Sequence, residues 1–119
     1  MLDHIVWIPK YRKRVLKGVI ATRIKELLEE CVAINRWYID ELNIQHDHVN
    51  MLLRLRPDVS VSNAVQLLKG RSSYEIRKEF PHLKEFSWGR TKSFWYNGFF
   101  VETVGQVNES VIKEYIWNQ

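Results

Sequence analysis

Hydrophobic and polar positions alternate along four short stretches of this chain and recur at helical spacing along others. Residues 4–8 predict a strand that ends at Pro9, because proline cannot donate a hydrogen bond to a sheet ladder. Residues 37–44 predict a second, weaker strand, and residues 48–56 predict a third with the clearest alternation. Residues 94–104 predict a fourth strand, bent at Asn97-Gly98 and ended by Gly105.

Two longer stretches carry apolar residues every three or four positions and predict amphipathic helices. The first spans residues 19–35. The second begins after Ser60, whose hydroxyl can cap a helix N-terminus. It contains Gly70, at a cost of about 1 kcal/mol relative to alanine, which indicates a close approach of another segment there. Asn108 can cap a final, terminal helix.

The predicted order of elements is β-α-β-β-α-β followed by that terminal helix. This order is typical of the α+β ferredoxin-like fold, in which a split βαβ arrangement forms an antiparallel sheet with two helices on one face. The other face is open to a ligand, a partner or the terminal helix. We expect one domain, residues 1–119, because a chain this short has no room for a second core. Many functions share this fold, so the fold alone does not indicate one.

Composition excludes several classes of protein. Hydrophobic residues make up 45% and charged residues 27%, which is typical of a globular protein and not of a disordered one. No apolar run approaches the ~18 residues that span a bilayer, so we expect no membrane partner. The only cysteine is Cys31. It excludes an intrachain disulfide and a cysteine-based zinc site, and it fits a reducing, cytoplasmic compartment.

The net charge of +4 is concentrated near the N-terminus, where Asp3 is the only acidic residue among the first 18. The cations there are Lys10, Arg12, Lys13, Arg14 and Lys17. A second basic cluster contains Lys69, Arg71, Arg77 and Lys78. Basic clusters beside aromatic residues indicate a polyanion such as nucleic acid as the partner. A solvated surface has the same composition and remains the alternative.

The polar face of the third strand is the first candidate site. His46, His48 and Asn50 share that face, since residues two apart on a strand point the same way. Two such side chains can hold one metal ion: imidazole suits Mn, Fe, Ni and Zn, and an amide oxygen suits Mg and Mn. The alternative is a set of exposed polar residues on a half-open strand.

The terminal helix carries the second candidate site. Tyr115 and Gln119 are four residues apart and therefore share one helix face. Tyrosine can act as a nucleophile that forms a covalent intermediate, and glutamine offers one neutral oxygen to a metal. A packed tyrosine and a frayed terminal glutamine explain the same pair.

Five segments in order carry motifs that cover nearly the full chain. They are Val6-Trp7-Ile8-Pro9-Lys10-Tyr11-Arg12, Asp47-His48-Val49-Asn50-Met51, Lys69-Gly70-Arg71-Ser72, Gly98-Phe99-Phe100-Val101-Glu102 and Lys113-Glu114-Tyr115-Ile116. Together they resemble the small single-tyrosine HUH transposases of the insertion-sequence-two-hundred type. The second segment is similar to that family's histidine-hydrophobe-histidine strand, and the last is similar to its nucleophile helix.

This resemblance implies a metal-dependent enzyme that cuts and rejoins single-stranded DNA at the ends of a mobile element, after recognising DNA hairpins there. It implies that Tyr115 is the nucleophile and leaves a 5′-phosphotyrosine. It implies that His48, Asn50 and Gln119 bind the divalent metal, Mg²⁺ or Mn²⁺. It also implies a homodimer with composite active sites, in which the His48 strand of one subunit meets the Tyr115 helix of the other.

Asn50 departs from the family pattern, which has a second histidine at that position. Three interpretations remain open. The amide oxygen of Asn50 replaces the imidazole in a working site, the transposase is weakened or inactive, or His46 is the substitute ligand.

Eight basic residues are the predicted DNA contacts, because arginine and lysine bind phosphate. They are Lys10, Arg12, Lys13, Arg14, Arg54, Arg56, Lys69 and Arg71. Trp88, Phe94 and Trp95 are candidates either for stacking on unpaired bases or for the core.

Two other function classes remain open. A catalytically impaired or non-catalytic single-stranded nucleic-acid-binding protein predicts that Tyr115→Phe leaves all function intact. A ligand-sensing domain that dimerises through its sheet predicts no metal binding and no salt-dependent affinity for DNA.

Overall fold

The computed structural model describes residues 2–86 and 93–104. In chain order the elements are β1 (Leu2–Trp7), a 3-10 turn (Lys10–Arg12), α1 (Gly18–Ile34), β2 (Tyr38–Gln45), β3 (His48–Arg54), α2 (Val61–Glu79), a 3-10 helix (Pro81–Phe86) and β4 (Phe100–Val104). The four strands form one antiparallel sheet in the order β2-β3-β1-β4. This is the split βαβ arrangement, so the predicted α+β ferredoxin-like fold is confirmed. The predicted terminal helix lies outside the described residues.

Both helices cover the same face of the sheet and form the main core with it. Ile5 on β1 lies opposite Met51 on β3, and both are completely buried. The helices contribute the apolar stripes predicted from their spacing, including Leu28 on α1 and Leu68 on α2. Removing these stripes from water is the main force that holds the helices on the sheet.

The last strand is shorter than predicted, because it begins at Phe100 and not at residue 94. The chain before it pairs with the loop after β1: the Lys10 amide donates to the Phe94 carbonyl and the Tyr96 amide donates to the Ile8 carbonyl, both at 3.0 Å. Phe94 and Trp95 are buried in the core, with their rings edge to face. They are therefore core residues and cannot stack on DNA, while Trp88 lies outside the described residues.

The sequence predicted an N-cap and a close approach in α2, and only the N-cap is confirmed. The Ser60 hydroxyl accepts a hydrogen bond from the Asn63 amide at 3.1 Å, which confirms the predicted N-cap. The close approach predicted at Gly70 is wrong, because a Cβ there would meet no neighbouring atom within 4 Å among the described residues. The third strand also ends at Arg54, two residues earlier than predicted.

Two buried serines on α2 hold the segment that leads into β4. The Trp95 indole donates to Ser72 Oγ at 2.9 Å, and that hydroxyl donates to the Leu68 carbonyl at 2.6 Å. The Phe94 amide donates to Ser73 Oγ at 2.9 Å. These bonds satisfy polar groups that the core would otherwise leave unpaired.

Ser72→Ala should lower the free energy of unfolding by about 1–3 kcal/mol, because it leaves the buried Trp95 indole without an acceptor. Urea denaturation measures this loss. Ser62→Ala, at an exposed position of the same helix, is the matched control and should change stability by less than about 0.5 kcal/mol. Equal losses in the two variants would contradict the assignment.

Candidate active site

The sheet face opposite the helices carries the residues predicted to bind metal. Val49 and Met51 point into the helix-side core, so His48 and Asn50, which alternate with them on β3, lie on the other face as predicted. Asn50 is completely buried there. It pairs with Val6 on β1 and with Asn43 on β2, at the centre of the sheet.

The His48 ring is held in one orientation by its neighbour Asp47. His48 Nδ1 lies 2.7 Å from Asp47 Oδ1, and the two side chains are only 16% and 15% exposed. The hydrogen bond from His48 holds the pKa of Asp47 below its usual range, so the carboxylate is ionised at neutral pH and can only accept. The ring proton of neutral His48 therefore sits on Nδ1. Its Nε2 is buried and has no hydrogen-bond partner among the described residues.

The Asn50 side chain is also unsatisfied. Neither its nitrogen nor its oxygen has a hydrogen-bond partner in residues 2–86 and 93–104. Beside it on β1 lies His4, whose pKa is lowered by burial, while the neighbouring Asn50 amide and Glu102 carboxylate oppose that shift. Buried polar groups without partners are rare and commonly mark a functional site.

These two side chains fit a divalent cation. An imidazole Nε2 with its Nδ1 held by a carboxylate is the usual arrangement of a metal-binding histidine, and an amide oxygen suits Mg²⁺ or Mn²⁺. No group of three histidine, cysteine or acidic side chains that could hold a metal occurs among the residues described. Gln119, the third predicted ligand, and Tyr115, the predicted nucleophile, lie outside the described residues.

His46 does not share the β3 face, so that prediction is wrong. It lies with Asp47 in the two-residue turn between β2 and β3, because strand pairing ends at Gln45 opposite His48. Its side chain is 50% exposed, and its Nε2 is 3.9 Å from Asp47 Oδ1. Alternation along a strand no longer applies once the chain enters a turn.

Several of the predicted DNA contacts have a carboxylate partner within the part of the chain that the structure describes. They are Arg12 with Asp47, Arg54 with Asp40, Arg56 with Asp58, and Arg71 with Glu30. The pair of Arg56 with Asp58 is exposed on both sides, and such a pair contributes about 0–1 kcal/mol and exchanges readily. Arg54 instead forms a two-pronged pair at 2.9 Å with Asp40, whose side chain is only 8% exposed. Separating that pair leaves a mostly buried charge, which is unfavourable.

Lys69 holds the loop before β4. Its ammonium donates to the carbonyls of Tyr96 at 2.6 Å and of Gly98 at 2.8 Å, and burial lowers its pKa. Lys69 lines a groove of about 790 Å³ between α2, the 3-10 turn and this loop. Gly70 opens onto the same groove, which explains the empty space beside it.

The remaining cations predicted to contact DNA are Lys10, Lys13 and Arg14, in the segment that follows β1. Arg14 is exposed, and the Lys10 ammonium lies 5.7 Å from the centre of the exposed Tyr11 ring. This segment therefore presents positive charge beside an aromatic ring at the surface, which is the composition of a nucleic-acid interface.

The match to known proteins covers the whole chain. Residues 1–119 match the family model described as "Transposase IS200 like". The chain belongs to this family. It is 32% identical to the ISDra2 transposase TnpA of Deinococcus radiodurans over 98% of this chain and 81% of the relative. It is 36% identical to the transposase for insertion sequence element IS200 of Salmonella typhimurium, over 98% of this chain and 74% of the relative.

Two solved structures have a similar fold. A crystal structure of a provisionally assigned transposase from Deinococcus radiodurans R1 superposes with a TM-score of 0.80 at 32% identity, covering 100% of this chain and 90% of that one. A REP-associated tyrosine transposase bound to a REP hairpin superposes with a TM-score of 0.65 at 12% identity, covering 98% and 60%. At that identity the second likeness concerns the fold alone. The IS200-like chain is thus a DNA transposase. None of its described helices is long and apolar enough to cross a membrane.

Sequence reasoning missed three residues around the predicted site. It noted Asp47 only as part of a motif and Arg12 only as a DNA contact, whereas Asp47 contacts His48 and Arg12 contacts Asp47. It gave no role to His4, which β1 places beside Asn50. An aspartate directly before a histidine at the start of a strand was the available signal for the first. Nothing local indicated that residue 12 meets residue 47.

Asn50→Leu should raise the free energy of unfolding by about 1–3 kcal/mol, because a side chain of similar shape replaces a buried amide that has no hydrogen-bond partner in residues 2–86 and 93–104. Thermal or urea denaturation measures this gain. Asn43→Leu on β2 is the matched control and should bring no gain, since Asn43 Oδ1 accepts from Gln45 at 2.9 Å. A less stable Asn50→Leu variant would show that the amide is satisfied after all.

Proposed function

We propose that this transposase nicks and rejoins single-stranded DNA at the ends of its element through a covalent bond to Tyr115. His48, Asn50 and Gln119 would hold Mg²⁺ or Mn²⁺ beside the scissile phosphate. One observation carries this proposal: His48 Nε2 and the Asn50 amide are buried on one sheet face, and neither has a hydrogen-bond partner among the described residues. Membership of the IS200-like family supports the same chemistry.

The reaction needs a nucleophile, a polarised phosphate and a leaving group. The Tyr115 oxygen attacks phosphorus and loses its proton, the bond from phosphorus to the 3′ oxygen breaks, and that oxygen takes up a proton as a free 3′-hydroxyl. The 5′ end stays on Tyr115 as a phosphotyrosine. Attack by another 3′-hydroxyl reverses the step without ATP, because the covalent bond conserves the energy of the phosphodiester. A divalent cation, when bound, supplies Lewis acidity at the phosphate oxygen.

DNA binding is assigned first to the basic segment after β1, Lys10 to Arg14, and to hairpins as its target. The segment combines exposed cations with the exposed Tyr11 ring, and phosphate contacts of this kind give salt-dependent affinity. Arg54 and Lys69 rank lower as DNA contacts, because Asp40 and two backbone carbonyls already hold them. The hairpin in the REP-associated relative's structure supports a hairpin as the ligand.

Tyr115→Phe should abolish the covalent adduct with a labelled single-stranded element end, while hairpin binding changes less than about twofold, since one hydroxyl is lost. Denaturing gel electrophoresis with and without Mn²⁺ measures the adduct, and a filter-binding assay measures affinity. Tyr74→Phe, at an exposed position on α2, is the matched control and should keep the adduct. An adduct that persists in Tyr115→Phe excludes this nucleophile.

A second candidate function rests on Asn50. Because Asn50 replaces the family's second histidine, the chain can be a catalytically impaired, hairpin-binding transposase. In that case the wild-type protein binds the hairpin with salt-dependent affinity and forms no adduct. Asn50→His then gains an adduct, since imidazole binds Mn²⁺ well.

We further propose a homodimer with composite sites, in which His48 and Asn50 of one subunit work with Tyr115 and Gln119 of the other. Strand exchange requires two element ends to be held together, and a twofold dimer places two equivalent sites in one particle. The short connection between Val104 and Asn108 contains Gly105, so the segment beyond it can pack on either subunit.

A mixture of Tyr115→Phe and His48→Ala subunits should regain part of the cleavage that each variant lacks alone. In a heterodimer with composite sites both lesions fall in one site, and the other site is wild-type. Cleavage is measured on the gel described above, after subunit exchange. A mixture that stays inactive, or a monomer by light scattering at micromolar concentration, would refute the composite site.

A further inference from the structure

We infer that Asp47 is the positioning residue that sets the tautomer and direction of His48, and that Arg12 holds Asp47 in place. The inference rests on the proposed function only for its last step, the binding of metal by His48. Its other steps concern contacts between side chains of this chain.

The first step is the contact between Asp47 and His48. At 2.7 Å it is short, as expected when the acceptor is an ionised carboxylate. An ionised carboxylate cannot donate, so the proton of this bond belongs to His48 Nδ1. The lone pair of Nε2 is then on the far side of the ring, at a buried atom with no hydrogen-bond partner in the described part of the chain.

The second step is the contact between Arg12 and Asp47. Arg12 Nε donates to Asp47 Oδ2 at 3.2 Å, whereas His48 uses Oδ1. Both carboxylate oxygens are therefore held, each from a different segment of the chain. A side chain bonded at both oxygens cannot rotate without losing one partner, so Arg12 fixes the orientation of Asp47.

The third step is the backbone that presents Arg12. Tyr11 and Arg12 have φ of 61° and 49°, in the left-handed region that residues with side chains rarely adopt. Such a conformation persists only where surrounding contacts require it. Here the Arg12 amide donates to the Pro9 carbonyl at 2.8 Å, and the Lys10 amide donates to Phe94 at 3.0 Å. The left-handed conformation of this turn therefore places the Arg12 guanidinium beside Asp47.

Within residues 2–86 and 93–104, Arg12 differs from its basic neighbour Arg14 in having a carboxylate partner. Arg12 was predicted to contact DNA, but its guanidinium forms an ion pair with Asp47. Arg14 belongs to the same exposed basic segment and carries the same charge, without a carboxylate partner among the described residues. Arg12 therefore acts through Asp47 on His48, and Arg14 is its natural control.

Two measurements test this inference. In the metal-free protein, ¹⁵N NMR of the His48 ring reports which nitrogen carries the proton. Calorimetric titration with Mn²⁺ alone reports metal affinity. Asp47→Ala should abolish the preference for the Nδ1-protonated tautomer and weaken Mn²⁺ binding by about 10–100-fold, as for other carboxylates behind metal-binding histidines. Asp47→Asn should keep the tautomer, because the amide oxygen accepts the same proton. Asp58→Ala, an exposed aspartate, should change neither.

The Arg12→Ala variant separates a positioning role from a simple charge effect, because the two predict opposite changes in Mn²⁺ affinity. Removing a positive charge near a cation site should strengthen Mn²⁺ binding by simple electrostatics, whereas loss of the contact to Asp47 should weaken it severalfold. The control Arg14→Ala has the same net charge and should bind Mn²⁺ at least as well as the wild type. Arg12 is 69% exposed, so this variant should fold, and circular dichroism checks this.

The outcomes separate this inference from the proposed function. An unchanged tautomer in Asp47→Ala, or Arg12→Ala and Arg14→Ala variants with equal Mn²⁺ affinity, would overturn the positioning role. Mn²⁺ binding that survives His48→Ala would instead contradict the proposed metal site. In that case a tautomer shift in Asp47→Ala would still support the positioning of His48 by Asp47.

Discussion

The pairing of β3 between β1 and β2 is the constraint on which the rest of this transposase depends. A strand has a side-chain period of two, so a slip of one residue would move every β3 side chain to the opposite face. Val49, Met51 and Leu53 are buried against the helices and oppose such a slip. The same packing that anchors β3 therefore holds His48 and Asn50 on the face where the proposed chemistry takes place.

The sheet face that carries the proposed site contains buried polar groups that lower the stability of the fold. The Asn50 amide and His48 Nε2 are removed from water without a hydrogen-bond partner in the described parts of the chain, and each such group costs on the order of 1–3 kcal/mol. By contrast, the buried hydroxyls of Ser72 and Ser73, on the helix side, all have partners. The indole nitrogens of Trp7 and Trp37 in the helix-side core also have no partner among the described residues. The unpaired groups on the site face are nevertheless expected where catalysis and folding make different demands.

The net charge of +4 does not show which basic residues already have a partner within the protein. Arg54, Arg56 and Arg71 are matched with acidic neighbours, and Lys69 serves backbone carbonyls. What distinguishes one basic residue from another is the burial of its partner. Asp40 and Asp47 are shielded, so their arginines have positional roles, whereas exposed pairs exchange with solvent ions or phosphate at little cost.

The sequence by itself determined the order of elements, the Ser60 cap and the alternation of residues on β3, because each of these depends on neighbours within one helical turn or a few strand positions. Motifs spread over the chain also indicated the family. Only the tertiary structure decided that His46 lies in a turn, that residues 94–96 pair with the loop after β1, and that Gly70 faces open space. It alone brought Arg12 to Asp47, 35 residues away in sequence. Contacts of that range are set by how the elements pack, and no local periodicity encodes them.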